Sequence, residues 1–315
     1  MLDPVAAALR SSLQRILGGA PDANEQWWQQ ATLPSEMGGL GLQDPRDAAE
    51  AARLASLVKI RNLVLELGVP QEVWKAQADH ALASYNNRWS LKVPMPGPDK
   101  DLQHELTRKA QQLRRDHLMA TDDRRQRMES LASPNAVKWV VEQSSWFSLN
   151  AVEYRYALRW ILGVPIRSEA YMCQDCGAMA DATGSHAVAC TAVGAAARGH
   201  SVAKFLFGSL FRAAGCRAEF EWGPSNSLER PADILIHGAG PRPQAIHFTI
   251  WTRLGAQQDA IDAVIARKMA KSKAICAQEG WSFAVWASDS YGWIHPTARR
   301  MTGKLVRVRV RVAPC

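Results

Sequence analysis

The most specific pattern in this 315-residue chain is the stretch CQDCGAMADATGSHAVAC, which runs from Cys173 to Cys190. It contains a C-x2-C pair, Cys173 and Cys176, followed after nine residues by an H-x3-C pair, His186 and Cys190. Thiolates and imidazoles are ligands that zinc prefers, and four of them make a closed tetrahedral site. The spacing therefore predicts a structural zinc knuckle. The alternative interpretation of this stretch is that three buried cysteines lie beside an unrelated histidine.

The chain after the knuckle changes from helical to strand-like patterning. Residues 196–214 predict a helix, and the runs at 217–222, 232–237 and 244–251 predict three short strands. A helix around 260–279, a strand at 281–286 and a last helix near 297–305 follow. We therefore predict an α+β domain of α-β-β-β-α-β order at residues 196–305, with a tail at 306–315.

The chain before the knuckle reads as helical. Residues 1–95 form a first predicted helical segment. Within it, residues 45–67 have the periodicity of an amphipathic helix, and Asp44, which precedes Pro45, is its predicted N-cap. The Pro-rich stretch at 93–98 indicates a boundary. Residues 96–168 are predicted to be a charged and amphipathic helical linker region, and the knuckle domain is placed at 169–195.

Composition points to a packed protein with a polyanionic partner. Hydrophobic residues make up 47% of the chain, the formal net charge is +8 and the pI is about 9.3. A basic balance favours DNA or RNA as partner. No signal peptide and no apolar run near the ~20 residues of a membrane span is evident, which predicts an intracellular, reducing setting. Cys216 and Cys276 are predicted to be ordinary core cysteines.

Charged side chains of the predicted α+β domain could form a nuclease centre. A metal-dependent phosphodiesterase needs oxygen ligands for Mg²⁺ and a positive group near the scissile phosphate. Candidates lie on the three strands and the helix that follows them: Glu219 and Glu221, sharing one face of the first strand; Asp233, opening the second; His247 in the third; and Lys268 and Lys271, one helical turn apart. Unrelated charged residues at strand ends are the alternative.

The order of short motifs along residues 25–300 resembles a known family. These motifs are C-x2-C-G, GSHAVAC, RGH, RPADI, HFTI and KMAK, preceded by ATLPSEMGGLGL at Ala31–Leu42. Together they resemble the C-terminal region of non-long-terminal-repeat retrotransposon proteins. In that family a reverse transcriptase is followed by a Cys-Cys-His-Cys zinc knuckle and a restriction-like PD-(D/E)xK endonuclease.

The resemblance implies roles for individual residues. Asp233 matches the first aspartate that binds magnesium, and Lys268 matches the catalytic lysine, with Lys271 second. His200 matches the histidine of an Arg-His pair, so that His200, Arg198 and Arg230 are expected to contact nucleic acid. The family has aspartate where this chain has His247. Because Mg²⁺ prefers oxygen ligands, we expect magnesium-supported cleavage to be impaired.

The function implied by the resemblance is nicking of target DNA to prime reverse transcription. The expected partners are DNA, the element's RNA and the polymerase region of the same element, and the expected location is the nucleus. The pair Asp122-Asp123 lies in a charged helical run and predicts no polymerase site, so the chain is expected to be a C-terminal fragment. The alternative is a non-catalytic, zinc-stabilised nucleic-acid-binding remnant or a degenerate fragment.

Overall fold

The computed structural model describes residues 2–19, 25–133, 136–141, 149–190, 192–221, 230–251 and 258–301. The chain has a mixed α+β architecture, as predicted, and it divides into two compact units. Unit 1 comprises Met1–Ala132 and Val137–Val164, and unit 2 comprises Ser133–Ala136 and Pro165–Cys315. Among the described residues, no helix combines the length and the apolar character that crossing a bilayer requires.

Unit 1 is helical throughout its described part. Its elements are α1 (Asp3–Leu17), α2 (Gln26–Ala31), a 3-10 turn (Ser35–Met37), α3 (Pro45–Lys59), α4 (Arg61–Glu66), α5 (Gln71–Trp89), α6 (Leu102–Leu118), α7 (Asp122–Leu131), α8 (Lys138–Val141) and α9 (Ala151–Leu162). Helix α3 begins at a predicted cap, because the Asp44 carboxylate accepts a hydrogen bond from the Arg46 backbone N–H at 3.0 Å. The prediction of one helix over residues 45–67 is wrong, because the chain divides at Ile60 into α3 and α4.

The core of unit 1 is built on the buried faces of α3, α5 and α6. Leu54 and Val58 of α3 pack with Tyr85 of α5 and Leu106 of α6. The Tyr85 hydroxyl donates a 2.7 Å hydrogen bond to the Leu106 carbonyl, and burial raises the pKa of Tyr85 to about 12. Side chains from residues 91–95 pack against the same core, so the chain on both sides of the Pro-rich stretch belongs to one unit.

Unit 2 carries both sheets. Its elements are β1 (Tyr171–Met172), β2 (Met179–Ala180), α10 (Ser185–Ala189), α11 (Val193–Ala213), β3 (Arg217–Phe220), β4 (Ile234–His237), β5 (Gln244–Trp251), α12 (Gln258–Gln278) and β6 (Ser282–Asp289), followed by helical residues 296–301. Strands β1 and β2 pair as a small antiparallel sheet. The larger sheet has the order β3-β4-β5-β6. Strand β4 pairs antiparallel with β3 and with β5, and β6 pairs parallel with β5.

The four-stranded sheet is covered on both faces by helices, because its strands alternate between two apolar surfaces. On one face Phe207 of α11 packs on Phe248 and Trp286, with ring centroids 4.9 and 4.2 Å apart. On the other face Leu235 packs in a cluster with Cys276 of α12. Cys216 and Cys276 are buried, which confirms their prediction as core cysteines. The alternation places His247 on the α12 face and Phe248 on the α11 face.

Candidate functional site

The four predicted zinc ligands meet in a small subdomain of unit 2. Cys173 follows β1, and Cys176 lies in the turn that leads to β2. The turn closes through the Gly177 N–H, which donates to the Cys173 carbonyl at 2.9 Å with Gly177 at a φ of 72°. Helix α10 then carries His186, and Cys190 follows its last residue.

The geometry of these four residues fits a tetrahedral metal ion. Their ligand atoms lie within 4.8 Å of one another. Cys173 Sγ is 3.9 Å from Cys190 Sγ, and Cys176 Sγ is 3.3 Å from His186 Nε2. Around one zinc ion, two sulfurs would be about 3.8 Å apart and a sulfur and a nitrogen about 3.5 Å apart. The cluster could therefore bind a metal ion such as zinc, and four protein ligands would make the site a structural one.

Two features prepare this cluster for a metal ion. The backbone N–H groups of Cys176 and Asp175 donate to the Cys173 sulfur, and they lower the pKa of Cys173 to about 6. The Asp181 carboxylate accepts hydrogen bonds from the backbone N–H groups of Ser185, at 3.0 Å, and His186, at 2.7 Å. Asp181 thus holds the start of the short helix that presents His186. The sequence reasoning missed this residue, although an aspartate a few positions before a helix start is a capping signal.

A second cluster lies at one end of the larger sheet, where three elements of unit 2 converge. His200 lies in α11, Asp233 immediately precedes β4, and His247 lies within β5. One ligand atom from each of the three lies within 4.8 Å of the other two. Asp233 Oδ2 is 3.2 Å from His200 Nε2 and 3.6 Å from His247 Nδ1.

Backbone hydrogen bonds hold Asp233 in place beside the two histidines. Its N–H donates to the Ile246 carbonyl at 2.9 Å, and its carbonyl accepts from the Glu221 N–H at 2.8 Å. The Phe248 N–H donates to Asp233 Oδ2 at 2.7 Å, which orients the carboxylate towards His247. The side chain of Asp233 is 15% exposed, so the centre is partly withdrawn from water while remaining accessible.

Lys268 of α12 completes the second cluster. Its Nζ atom contacts His247 Nε2, on the side of the ring opposite Asp233. Lys271, one turn further, is exposed and influences the centre through its charge. The structure therefore brings together three of the six predicted catalytic residues, Asp233, His247 and Lys268, and adds His200.

Burial controls the protonation of this centre. Burial lowers the pKa of His247 to about 4, with help from the charge of Lys268, so that its imidazole is neutral at neutral pH. Burial also lowers the pKa of Lys268 below that of an ordinary lysine. For Asp233, burial acts to raise the pKa, but the hydrogen bond with His200 and the neighbouring donors outweigh it and keep the carboxylate ionised.

The two predicted glutamates are not members of this cluster. Glu219 forms an ion pair with Arg217 of the same strand, β3, which pairs with β4; Glu219 Oε1 and Arg217 Nη2 are 2.6 Å apart. Glu221 lies beyond the end of β3 with a φ of 52°, so the predicted shared face of Glu219 and Glu221 is wrong. A left-handed backbone breaks the strand alternation there.

Glu221 instead accepts two cationic partners. It pairs with Lys204 of α11 and, at 2.8 Å, with Arg230 Nη1. The Lys204 hydrogen bond lowers the pKa of Glu221. Lys204 is a buried charge that the sequence reasoning missed; its spacing of four residues from His200 on one helix was the available signal.

The predicted nucleic-acid contacts have different surroundings. Arg230 is exposed apart from its ion pair with Glu221, whereas His200 belongs to the second cluster. Arg198 lies in α11, and its side chain is outside the described part of the structure.

No model of a known protein family matches this chain, and no curated protein matches it.

Proposed function

We propose that unit 2 contains a restriction-like DNA endonuclease joined to a zinc knuckle, as in the C-terminal region of a non-long-terminal-repeat retrotransposon protein. The observation that carries the proposal is the convergence of Asp233, His247 and Lys268 from β4, β5 and α12 at one end of the sheet. A carboxylate and a lysine that flank His247 at this end of the sheet supply the two kinds of group that phosphodiester hydrolysis needs.

The residues have distinct parts in the proposed reaction. A water molecule attacks phosphorus and passes one proton to a base. The new O–P bond forms as the bond to the sugar oxygen breaks, and that leaving oxygen takes up a proton from solvent water. Lys268, which lies against His247, would take that proton as the general base and then face the phosphate as a cation. A divalent ion held at Asp233 would neutralise charge on the phosphate.

Magnesium does not match the donor set at this centre. The cluster offers one carboxylate and two imidazoles, whereas Mg²⁺ prefers oxygen ligands in octahedral arrangement. The residues present therefore do not fit the magnesium ion that the resemblance implies.

The rest of the proposal follows from charge and from the resemblance. A net charge of +8 favours a phosphate backbone as partner, and DNA is the proposed substrate. The element's RNA and the polymerase region of the same element are proposed as further partners. A nuclear location is proposed because target DNA lies there.

A nicking assay on supercoiled plasmid tests the endonuclease. The full chain is incubated with Mg²⁺, Mn²⁺ or Co²⁺ supplied singly, and relaxed circles are counted over time. We expect nicking with Mn²⁺ or Co²⁺, and we expect Asp233→Asn and Lys268→Ala each to slow it by about 100-fold or more, since general acid–base groups contribute roughly 10²–10⁴-fold.

Lys273→Ala is the matched control, because Lys273 is an exposed lysine of the same helix outside the cluster. It should nick within about two-fold of the unchanged protein. Nicking that survives Asp233→Asn would contradict the proposed centre and point to a contaminating nuclease.

A non-catalytic nucleic-acid-binding protein is the second candidate. The observation that favours it is His247, which stands where the resemblance expects a carboxylate. Under this alternative the chain binds DNA with a steep salt dependence, since phosphate contacts release counterions. Such binding without nicking in any of the three metal ions would select it over the endonuclease.

A further inference from the structure

We infer that His200, Asp233 and His247 form a binding site for a borderline transition-metal ion, such as Zn²⁺ or Co²⁺, in place of Mg²⁺. The inference deepens the proposed function, on which it rests for the catalytic meaning of the ion. The binding itself depends only on the three side chains.

The identity of the donors favours this class of metal. Two imidazole nitrogens and one carboxylate oxygen suit zinc, iron, cobalt and nickel, whereas Mg²⁺ selects carboxylates, carbonyls and water. Three protein ligands also differ from the four of the knuckle. They leave a coordination position open, as catalytic zinc sites do.

The spacing of the donors fits one shared ion. His200 Nε2 and His247 Nδ1 lie 3.2 and 3.6 Å from Asp233 Oδ2. A nitrogen and an oxygen bound to one tetrahedral zinc ion would be about 3.4 Å apart. The donors come from α11, from the residue before β4 and from the middle of β5, and these elements pack together around one apolar cluster.

The surroundings of the cluster supply the outer contacts that metal ligands need. The Phe248 N–H fixes the Asp233 carboxylate, and Lys268 lies against the His247 nitrogen that faces away from Asp233. Partners of this kind fix the ring orientation of a metal-bound histidine.

Metal stoichiometry tests the site without any nucleic acid. The full chain is loaded with Zn²⁺, freed of loose ions by dialysis, and its zinc content is measured by atomic emission. We expect two zinc ions per chain, one in the knuckle and one in the second cluster. His200→Ala and His247→Ala should each retain one, and zinc affinity at the second site should fall by more than roughly 100-fold, since even outer-shell changes cost ~10–100-fold.

Cobalt spectroscopy identifies which site is filled. Co²⁺ in the knuckle gives intense thiolate-to-cobalt charge-transfer bands, and Co²⁺ in the second cluster gives weak visible bands without them. His200→Ala should remove only the second set. His237→Ala is the matched control, because His237 lies at the end of β4 beside Glu219 and outside the cluster. It should keep both sets, and far-UV circular dichroism should show every variant folded.

One zinc ion per unchanged chain, or two retained in both His200→Ala and His247→Ala, would overturn the inference. The two proposals fail separately. Magnesium-supported nicking with a single zinc ion bound leaves the endonuclease standing and removes the second metal site. Two bound zinc ions with no nicking in any metal leaves the site standing and removes the endonuclease.

Discussion

At the scale of single residues, the chemistry of the second cluster depends on His247. Its position in β5 directs it towards α12, where it meets Lys268, while Asp233 reaches it from the start of β4. A carboxylate at this position would give the centre two acidic ligands and the charge that Mg²⁺ attracts. The neutral imidazole of His247 instead adds no negative charge to the centre.

We predict that His247→Asp raises magnesium-supported nicking by at least about 10-fold, because the second carboxylate supplies an oxygen ligand that Mg²⁺ prefers. The same change should weaken zinc at this site. The measurement is the plasmid-nicking rate in Mg²⁺ alone. His237→Asp, which adds the same charge on a neighbouring strand, should have no effect, and an unchanged rate for His247→Asp would mean that the centre is organised around other ligands.

At the scale of elements, the knuckle depends on helix α10, which has five residues and would not be stable by itself. An isolated helix this short is unstable in water. Helix α10 is held by Asp181, whose carboxylate accepts the N–H groups of Ser185 and His186, and it carries one of the four clustered ligand residues, His186. The hydrogen bonds with Thr183 and these N–H groups outweigh burial and lower the pKa of Asp181 to about 2, so it is ionised at neutral pH.

We predict that Asp181→Ala weakens zinc binding by the knuckle about 10–100-fold, as removal of outer-shell partners does. Asp181→Asn keeps an acceptor and should lose less. The measurement is competition for zinc with a chelating dye. Glu169→Ala, which removes an exposed carboxylate of the same subdomain, should leave the affinity unchanged. Equal affinities for all these variants would show that α10 forms without its cap.

At the scale of the whole molecule, the knuckle differs from the rest of the chain in what stabilises it. Unit 1 has a broad apolar core across α3, α5 and α6. Among the residues that the structure describes, the buried members of the knuckle cluster are Cys173, Ala180 and Cys190, too few to fold by apolar burial. A structural zinc ion can supply the missing free energy, since zinc-finger peptides gain roughly 10–16 kcal/mol from theirs.

We predict that removing zinc with a chelator exposes the knuckle selectively. Amide hydrogen exchange over residues 171–190 should become fast, while amides near Tyr85 in the core of unit 1 stay protected. Cys176→Ser should resemble the chelated protein before any chelator is added. Protection of the knuckle amides that persists after complete zinc removal would show that the four ligands are not a structural metal site.

The sequence by itself determined the periodic and the local features. The ligand spacing of the knuckle, the order of strands and helices in unit 2, the Asp44 cap and the two faces of β5 all follow from residues close together in the chain. Such patterns are readable because strand alternation and helix periodicity repeat every few residues. The break of the long helix at Ile60 escaped prediction, since no glycine or proline marks it.

Only the tertiary structure decided which charged residues form a centre. His200 and Asp233 are 33 positions apart, and the packing of α11 on the sheet brings them within 3.2 Å. The same packing buries Lys204 beside Glu221. Glu221 has a left-handed backbone beyond the end of β3, so it does not share a strand face with Glu219 as predicted. Contacts of this kind depend on how elements pack, which periodicity does not encode. The zinc knuckle could be read from spacing because its ligands lie within eighteen consecutive residues, whereas the second cluster required the fold.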